Sequence, residues 1–553
     1  MMKPRLEELT LREKIGQTAC APFYSKDYWA ISDFETFFKE NPIGVLWYLR
    51  SAKPFYDVSS VKWGTPEHPL CVDNTSINYI NAANKGLRIP ILPVMDAGRG
   101  VPVSNFPGHP SLPAATSLGA ANDPELAYRY GNLLGKDAHS LGFRWIWSPV
   151  ADNSGCYNDA RGISSDYEVN KKILSGFICG MQDAGVAACA KHFPGQDPYD
   201  YRDSHFCTSS YDQSFEYWQA TQGREFQACV DAGVASIMIG HTTFGAADDT
   251  RVNGCLLPCT LSYKVITELL KGKMGFKGVV ITDDTNMKAL SAIYPRKKMY
   301  VELLRAGNDV ILNCDLDYID IIEKAVLDGE LPESRIDDAC RRVLDMKERF
   351  GMFAQRELPY RTEEEGEALA SEFHRLCCDI ARKSLTVAAN RTNFLPISDR
   401  KIRKVKIVYI GYSDGCYDNL RYAAEEFARH GAQCDIQNGF TDEDNKTLDQ
   451  YDLIIYATYI GMHAPEGGNR FFGEKCRMMR KIMTVATEKS MGVSFGDPDI
   501  FFNYFTAAKT FVNCYSFNPE TMEAFVRGLY GEISFTDYAP FPLNPITRTN
   551  NVY

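Results

Sequence analysis

The sequence lacks several common signatures, and each absence argues against a class of function. No apolar run approaches the roughly 20 residues needed to cross a bilayer. No G-x-G-x-x-G or Walker-type loop follows a predicted strand, which argues against nucleotide binding. The 17 cysteines include no C-x-x-C pair of the kind that binds zinc. The formal charge of -11 disfavours nucleic acid and anionic membranes as partners.

Composition and cysteine placement predict a cytosolic protein. Most cysteines lie inside apolar runs, for example Cys179, Cys189 and Cys314, and are predicted to be buried, reduced thiols. Met1–Gly16 is charged and predicted as helix, unlike a secretory signal. The apolar fraction of 45% is that of a folded soluble protein. A chain of 553 residues is expected to form two or three domains.

Predicted strands and helices alternate from about residue 13 to residue 315. The clearest strands are Ile89–Val94, Phe143–Pro149, Ala187–Ala190, Ala235–Ile239, Gly278–Ile281 and Asp309–Leu312. The helices between them are predicted at Pro124–Ser140, Glu168–Ala184, Tyr211–Ala232 and Ser262–Lys273. This alternation predicts a parallel sheet with crossover helices, either an open doubly wound sheet or a (β/α)₈ barrel.

Polar residues at the ends of the predicted strands favour the barrel. Five different strands end at or just before one of these residues: Asp96, Asp152, Lys191 with His192, His241 and Asp283. Charges converging from many strands on one rim are typical of a barrel active site. An open sheet concentrates its ligands at one switch point instead. We therefore predict a TIM-type (β/α)₈ barrel over residues 1–350.

A second α/β unit is predicted in the last third of the chain. Strands at 405–410, 453–458, 491–495 and 510–514 alternate with helices at 419–430, 474–488 and 519–529, a doubly wound pattern. A helix over 336–350 ends at Gly351, and another helix runs to Lys383. Residues 351–400 are predicted to be a connecting helix and linker, and residues 401–553 a C-terminal α/β sandwich domain.

The most informative segment is Ala190–His205, A-K-H-F-P-G-Q-D-P-Y-D-Y-R-D-S-H. A buried strand that stops at Lys191 and His192 indicates a polar cavity at its end. An aspartate two residues before a histidine, as in Asp203 and His205, can orient the imidazole and raise its basicity. This segment therefore predicts acid–base chemistry beside a polar cavity.

Several motifs together carry a resemblance to a known family. K-H-F-P-G at Lys191–Gly195 is followed by D-S-H at Asp203–His205, and Gly275–Met287 reads G-F-K-G-V-V-I-T-D-D-T-N-M. Further matching segments are Leu9–Gln17, Ile91–Asp96, Leu141–Asp152, Ala306–Asp309 and Ala381–Ile397. The chain resembles glycoside hydrolase family 3, and within it the bacterial β-N-acetylglucosaminidases, over nearly its whole length.

The resemblance implies a retaining exo-β-N-acetylglucosaminidase that forms a covalent glycosyl-enzyme. Asp283 would be the nucleophile and His205 the acid/base, with Asp203 holding the other ring nitrogen of His205. Adjacent side chains on a strand point in opposite directions, so only one of Asp283 and Asp284 is expected to face the cavity. The motif selects Asp283.

The resemblance also implies a set of substrate-binding residues. Lys191, His192 and Arg161 would bind sugar hydroxyls, and Asp96 would accept two hydroxyls. Asp152 and His241 are expected to be orienting partners, and Trp145 and Trp147 to pack together inside the barrel. Two segments depart from the family pattern: Gln196-Asp197 stands where His-Gly is usual, and D-A-G-R-G-V, beginning with Asp96-Ala97-Gly98-Arg99, stands where D-Q-E-G-G-R-V is usual.

No cofactor or metal is expected. The implied partner is a small carbohydrate, either a muropeptide of peptidoglycan recycling or a chitooligosaccharide. Four alternatives remain open. They are a family 3 β-glucosidase with a carboxylate acid from the C-terminal domain, a phosphorylase, a metal-dependent barrel hydrolase and a non-catalytic sugar-binding module. The metal-dependent reading would use His192, His205, His241 and Asp283 as ligands, but the first-strand region Ile15–Phe23 has no H-x-H.

Overall fold

The computed structural model describes residues 2–22, 34–47, 75–97, 112–152, 161–200, 202, 204–355, 357–461 and 470–544. Strands β1–β10 lie in the first part of the chain: Ala19–Pro22, Val45–Trp47, Leu92–Asp96, Trp145–Trp147, Ala187–Phe193, Ser236–Ile239, Arg251–Val252, Cys255–Leu256, Val279–Thr282 and Ile311–Leu312. Strands β11–β16 follow: Thr386–Asn390, Lys404–Gly411, Gln433–Asn438, Leu453–Tyr459, Ser490–Ser494 and Thr510–Asn513.

The first sheet is a parallel barrel. Eight strands are ordered β10-β1-β2-β3-β4-β5-β6-β9, and β7 and β8 form a separate hairpin. Ile281 of β9 forms a parallel bridge with Val310, just before β10, which brings the two ends of the sheet together. The (β/α)₈ prediction is confirmed.

Helices surround the barrel and connect it to the rest of the chain. They span Leu11–Gly16, Phe34–Glu40, Thr75–Asn84, Ala115–Ala121, Pro124–Ser140, Tyr167–Asp183, Phe215–Ala220, Gln222–Asp231, Lys288–Ser291, Arg296–Ala306, Tyr318–Leu327, Glu333–Arg349 and Glu363–Ser384, with a π-helical segment at Lys264–Lys273. Asp123 and Asp166 cap the helices Pro124–Ser140 and Tyr167–Asp183 by accepting hydrogen bonds from first-turn N–H groups. Gly351 adopts a φ of +76° just after Glu333–Arg349, a conformation that ends a helix readily.

The barrel interior is a packed core. Residues that alternate along the strands point inward, and Trp145 and Trp147 lie together there with ring centroids 6.2 Å apart. The predicted packing of these two rings is therefore present. A second core lies between the barrel and its helices.

Several elements in the first part of the chain differ from the sequence-based predictions. Strands β1 and β2 were not predicted, because A-C-A-P and V-L-W are short and β1 is poor in β-branched residues. The helix predicted over Tyr211–Ala232 is two helices, broken at Thr221 where φ is -120° and ψ is -103°. Burial of the apolar faces continues across the break, so periodicity alone does not locate it.

The second sheet follows the predicted doubly wound pattern. Its order is β11-β16-β15-β14-β12-β13, with β11 antiparallel to β16 and the other pairs parallel. Helices Asp414–Arg429, Gly473–Met479 and Pro519–Leu529 cover it, and apolar clusters lie on both faces. Strand β13, Q-C-D-I-Q-N, was missed because it is a polar edge strand. The helix predicted to run to residue 488 ends at Met479.

The two sheets are joined by direct contacts. The backbone N–H of Ser165 donates to the carbonyl of Pro540 at 2.8 Å, and the Ser164 hydroxyl donates to the same oxygen. The helix Glu363–Ser384, hereafter the connecting helix, packs on barrel helices and on Pro519–Leu529. Among the described residues, no helix combines the length and apolar character required to cross a membrane.

Candidate active site

A cavity of about 170 Å³ opens at the carboxyl ends of the barrel strands. Six of the seven predicted site residues line it: Asp96, Arg161, Lys191, His192, His205 and Asp283. The seventh, Asp203, lies outside the described residues. Asp152 and His241 also line the cavity, so residues separated by nearly 190 positions meet in one place.

Lys191 and Asp96 form an ion pair on one wall. The Nζ of Lys191 lies 2.8 Å from Oδ1 of Asp96. The Lys191 side chain is 3% exposed and that of Asp96 is 28% exposed. The ammonium is therefore nearly enclosed, whereas the carboxylate is accessible from the cavity. This arrangement leaves Asp96 able to accept further hydrogen bonds from a polar ligand.

His192 is held between two aspartates. Its Nδ1 lies 2.8 Å from Oδ2 of Asp152, and its backbone N–H donates to Oδ1 of Asp152 at 2.6 Å. Its Nε2 lies 3.8 Å from Oδ2 of Asp283. Asp152 is buried, and its two carboxylate oxygens both bind His192. These two contacts fix the orientation of the imidazole ring. The expected orienting role of Asp152 matches this geometry.

The surroundings of Asp283 keep its carboxyl group ionised. Burial acts to raise the pKa of this carboxyl, but the imidazoles of His192, His241 and His205 and the N–H of Asp284 outweigh burial and lower the pKa to about 2. The Asp284 N–H donates to Oδ1 at 2.8 Å. A carboxylate at the cavity floor is a chemically competent nucleophile at neutral pH.

Both Asp283 and Asp284 contribute atoms to the cavity lining, contrary to the expectation that only one would. Strand β9 ends at Thr282, so strand alternation does not extend to either aspartate. The two differ in their partners instead. The Asp284 carboxylate accepts from Asn313 Nδ2 and from the Asn286 N–H, both at 2.8 Å. Burial, aided by the charge of Asp283, raises the pKa of Asp284.

His241 supports this end of the cavity. Its Nε2 lies 2.9 Å from the carbonyl oxygen of Asp284, and its Nδ1 lies 2.9 Å from the Thr260 hydroxyl. Because a carbonyl only accepts, Nε2 carries the proton and donates, and Nδ1 accepts from Thr260. Burial lowers the pKa of His241 and favours the neutral ring. Both ring nitrogens are committed to the protein.

The loop that carries His205 is fastened by two aspartates. Oδ2 of Asp197 accepts from the N–H of Asp212 and from Gln213 Nε2, and Asp197 is buried. Asp200 accepts from the N–H of Ser210. The departure at Gln196-Asp197 thus supplies a buried anchor for the loop. Apart from the departure itself, no feature of the sequence indicates this role.

Several lining residues were not predicted from the sequence. These are Trp47, Ser204, Ser209, Met238, Thr242 and Met287. Met238 and Trp47 lie on strands, so only the barrel closure reveals that they face the cavity. No short motif in the sequence marks Trp47 or Met238.

The donor set does not fit the metal-dependent alternative. Among the described residues, the group of His, Cys, Asp and Glu ligand atoms close enough to share an ion is Glu426, His430 and Glu532, in the C-terminal part. At the barrel rim, both nitrogens of His241 and Nδ1 of His192 already have protein partners. A four-ligand site from the predicted residues is not assembled.

Comparison with known proteins identifies the family. Residues 70–346, half of the chain, match the model described as Glycosyl hydrolase family 3 N terminal domain. The chain belongs to glycosyl hydrolase family 3. It is a carbohydrate-active enzyme of the glycoside hydrolase class, in agreement with the sequence resemblance.

Relatives within family 3 differ in their substrates. A β-N-acetylglucosaminidase/β-glucosidase of Cellulomonas fimi is 25% identical over 77% of this chain and 78% of its own length. A β-hexosaminidase of Stenotrophomonas maltophilia is 30% identical over 38% of this chain and 64% of its own length. The chain spans about half or less of a Formosa agariphila β-xylosidase and an Aspergillus fumigatus probable β-glucosidase.

Solved structures of family members share the architecture. A family 3 β-N-acetylglucosaminidase from Paenibacillus superposes with a TM-score of 0.77 at 24% identity, covering 97% of this chain and 99% of that one. The β-glucoside phosphorylase BglX gives a TM-score of 0.81 at 20% identity, covering 98% and 95%. At these identities the similarity shows the fold alone.

Proposed function

We propose that this family 3 enzyme is a retaining exo-β-N-acetylglucosaminidase that removes terminal β-linked N-acetylglucosamine. The main support is that an ionised carboxylate, Asp283, and an imidazole, His205, line one cavity large enough for part of a sugar ring. Both come from the segments that resemble the acetylglucosaminidase branch. Cleavage of a glycoside with retention requires one nucleophile and one acid/base, and these two residues supply them.

In the first step, Asp283 attacks the anomeric carbon and forms a glycosyl-enzyme. The hydrogen bond from the Asp284 N–H to Oδ1 orients the carboxylate, and the imidazole of His192 beside Oδ2 keeps it ionised. His205 donates a proton to the departing glycosidic oxygen. In the second step, the now neutral His205 removes a proton from water, which attacks the same carbon and releases the sugar.

The sugar hydroxyls would be bound by the cavity walls. Asp96 accepts from hydroxyls, and Lys191 and His192 donate to them. Arg161 Nε and Trp147 Nε1 are buried at this cavity without a hydrogen-bond partner among the described residues. Buried donors without partners are costly, so a ligand oxygen at these positions would gain binding energy. A muropeptide or a chitooligosaccharide is the proposed substrate, in a cytoplasmic setting.

Substrate comparison tests the sugar specificity. Purified enzyme is assayed with 4-nitrophenyl N-acetyl-β-glucosaminide and 4-nitrophenyl β-glucoside under identical conditions. We expect the first to have the higher kcat/KM. A higher kcat/KM for the glucoside contradicts the acetylglucosaminidase proposal and supports the β-glucosidase alternative.

Trapping tests the nucleophile. A 5-fluoro glycosyl fluoride is expected to label the peptide Gly278–Met287 at Asp283. Asp283→Asn should abolish both labelling and turnover, whereas Asp284→Asn, its matched neighbour, should keep the label at Asp283. A label outside this peptide contradicts the assignment.

Phosphorolysis is a second candidate function, because the proposed acid/base, His205, is an imidazole and not a carboxylate. A neutral imidazole repels phosphate less than a carboxylate does. Product analysis with and without added inorganic phosphate distinguishes hydrolysis from phosphorolysis. Formation of sugar 1-phosphate in place of free sugar would assign phosphorolysis.

A further inference from the structure

A second cluster of titratable side chains, none of which lines the cavity, lies between the connecting helix and the helix Pro519–Leu529. Cys378 and His374 are one helical turn apart, and the Sγ of Cys378 lies 3.8 Å from Nε2 of His374. The other nitrogen of His374, Nδ1, lies 2.7 Å from Oε1 of Glu520, on the helix Pro519–Leu529. The three side chains form a thiol–imidazole–carboxylate relay, hereafter the thiol relay.

The carboxylate end of the thiol relay is rigid. The Glu520 side chain is 9% exposed, and its second oxygen accepts from Asn518 Nδ2 at 2.7 Å. Asn518 in turn accepts from the Thr521 hydroxyl at 2.6 Å. Glu520 is therefore fixed from behind and orients the His374 ring towards Cys378, in the order nucleophile, base and orienting acid.

The thiol end is accessible. Cys378 is partly exposed and the His374 side chain is 48% exposed. The neighbouring Cys377 is buried and points into the core. A solvent-borne reagent can therefore reach the Cys378 sulfur and not that of Cys377.

Three basic side chains share the helix face of the thiol. The hydrogen bonds with Cys378 and Glu520 raise the pKa of His374 to about 10, so the ring is an imidazolium at neutral pH. Arg375 and Arg382, three residues before and four after Cys378, share its helix face. Both are exposed and take part in none of the ion pairs that the described part of the connecting helix forms. The imidazolium and the two guanidinium groups attract anionic reagents to this face of the helix.

We propose that the thiol relay is a site of thiol–disulfide exchange, at which Cys378 forms a mixed disulfide with a small anionic disulfide. The Cys378 thiolate attacks one sulfur of the disulfide, a new S–S bond forms and the old one breaks. The departing thiolate takes the proton that His374 holds on Nε2. Cys378 is oxidised and half of the disulfide is reduced, so no further oxidant is needed.

The test uses 5,5′-dithiobis(2-nitrobenzoate), an anionic disulfide, with the full chain at pH 7. Release of thionitrobenzoate is followed by stopped flow, and the modified peptides are mapped by mass spectrometry. Cys255 is the internal control, because it is an exposed thiol on the β7–β8 hairpin. We expect Cys378 to react at least about tenfold faster than Cys255. Equal or slower reaction of Cys378 overturns the proposal.

Variants distinguish a rate increase caused by the thiol relay from one caused by the exposure of Cys378 alone. His374→Gln is expected to slow Cys378 to the rate of Cys255, because the variant lacks the imidazole that activates the thiol and protonates the leaving group. Cys378→Ser should remove the fast phase. Arg375→Gln with Arg382→Gln should slow the anionic reagent more than the neutral 2,2′-dithiodipyridine. A fast phase unchanged in His374→Gln overturns the proposal, and circular dichroism verifies that each variant is folded.

Discussion

Loss of either member of the Lys191–Asp96 pair is expected to have unequal effects on stability. Asp96→Ala leaves the Lys191 ammonium, 3% exposed, without its carboxylate. Lys191→Met leaves the Asp96 carboxylate, which is 28% exposed and can be hydrated from the cavity. Lys191→Met also removes the cost of burying the ammonium, and methionine fills a similar volume. Asp96→Ala should therefore be the more destabilising change.

The magnitude follows from the cost of stranding a buried charge. Removing one partner of a buried pair costs about 3–5 kcal/mol, whereas an ordinary substitution costs about 1–2 kcal/mol. In large domains each kcal/mol lowers Tm by about 2 °C. We expect Asp96→Ala to lower Tm by at least about 6 °C and Lys191→Met to lower it by about 2–4 °C.

Scanning calorimetry at a fixed scan rate measures both changes. Lys324→Met is the control, because Lys324 pairs with Asp328 on the surface, where the two side chains are 76% and 58% exposed. This control should leave Tm unchanged within error. Equal Tm losses for the two cavity variants, or a larger loss for Lys191→Met, would refute the argument from unequal burial.

Three further changes test the electrostatics. Asp152→Asn should lower kcat/KM about 10–100-fold, because charge-assisted hydrogen bonds worth about 1.5–3 kcal/mol orient His192; a loss under about threefold contradicts this role. His192→Gln should raise the pKa of Asp283 from about 2 and so move the acid limb of the kcat/KM profile to higher pH; an unchanged acid limb argues that His192 does not lower this pKa. Burial lowers the pKa of Lys347 from 10.5 in the unfolded chain to about 7 in the folded protein. Between these two pH values the unfolded chain binds more protons than the folded protein, so the free energy of unfolding should rise with pH over this range. Lys347→Met should flatten this rise in denaturation curves, and a slope equal to that of the wild type would show that Lys347 does not cause it.

Much of the barrel could be predicted because its later strands are apolar runs that end in a charge. β5, β6 and β9 begin within one residue of the predicted positions, and β5 and β9 continue past their predicted ends. β1 and β13 could not be predicted, since A-C-A-P and Q-C-D-I-Q-N gain their strand conformation from neighbouring strands. The same limit applies to the site. Motifs identified Lys191, His192 and Asp283, whereas the lining by Trp47 and Met238 depends on closure of the sheet.

The connecting helix has a consequence for how this protein can be dissected. Its Leu369, Phe373, Leu376 and Ile380 belong to the apolar cluster of the barrel, while Ala381 belongs to that of the second sheet. A polypeptide cut before residue 363 would expose that barrel surface to water, and one starting after residue 384 would lack part of its own interior. Recombinant halves should therefore aggregate or require co-expression, and melting of the intact chain should pass through a single cooperative transition.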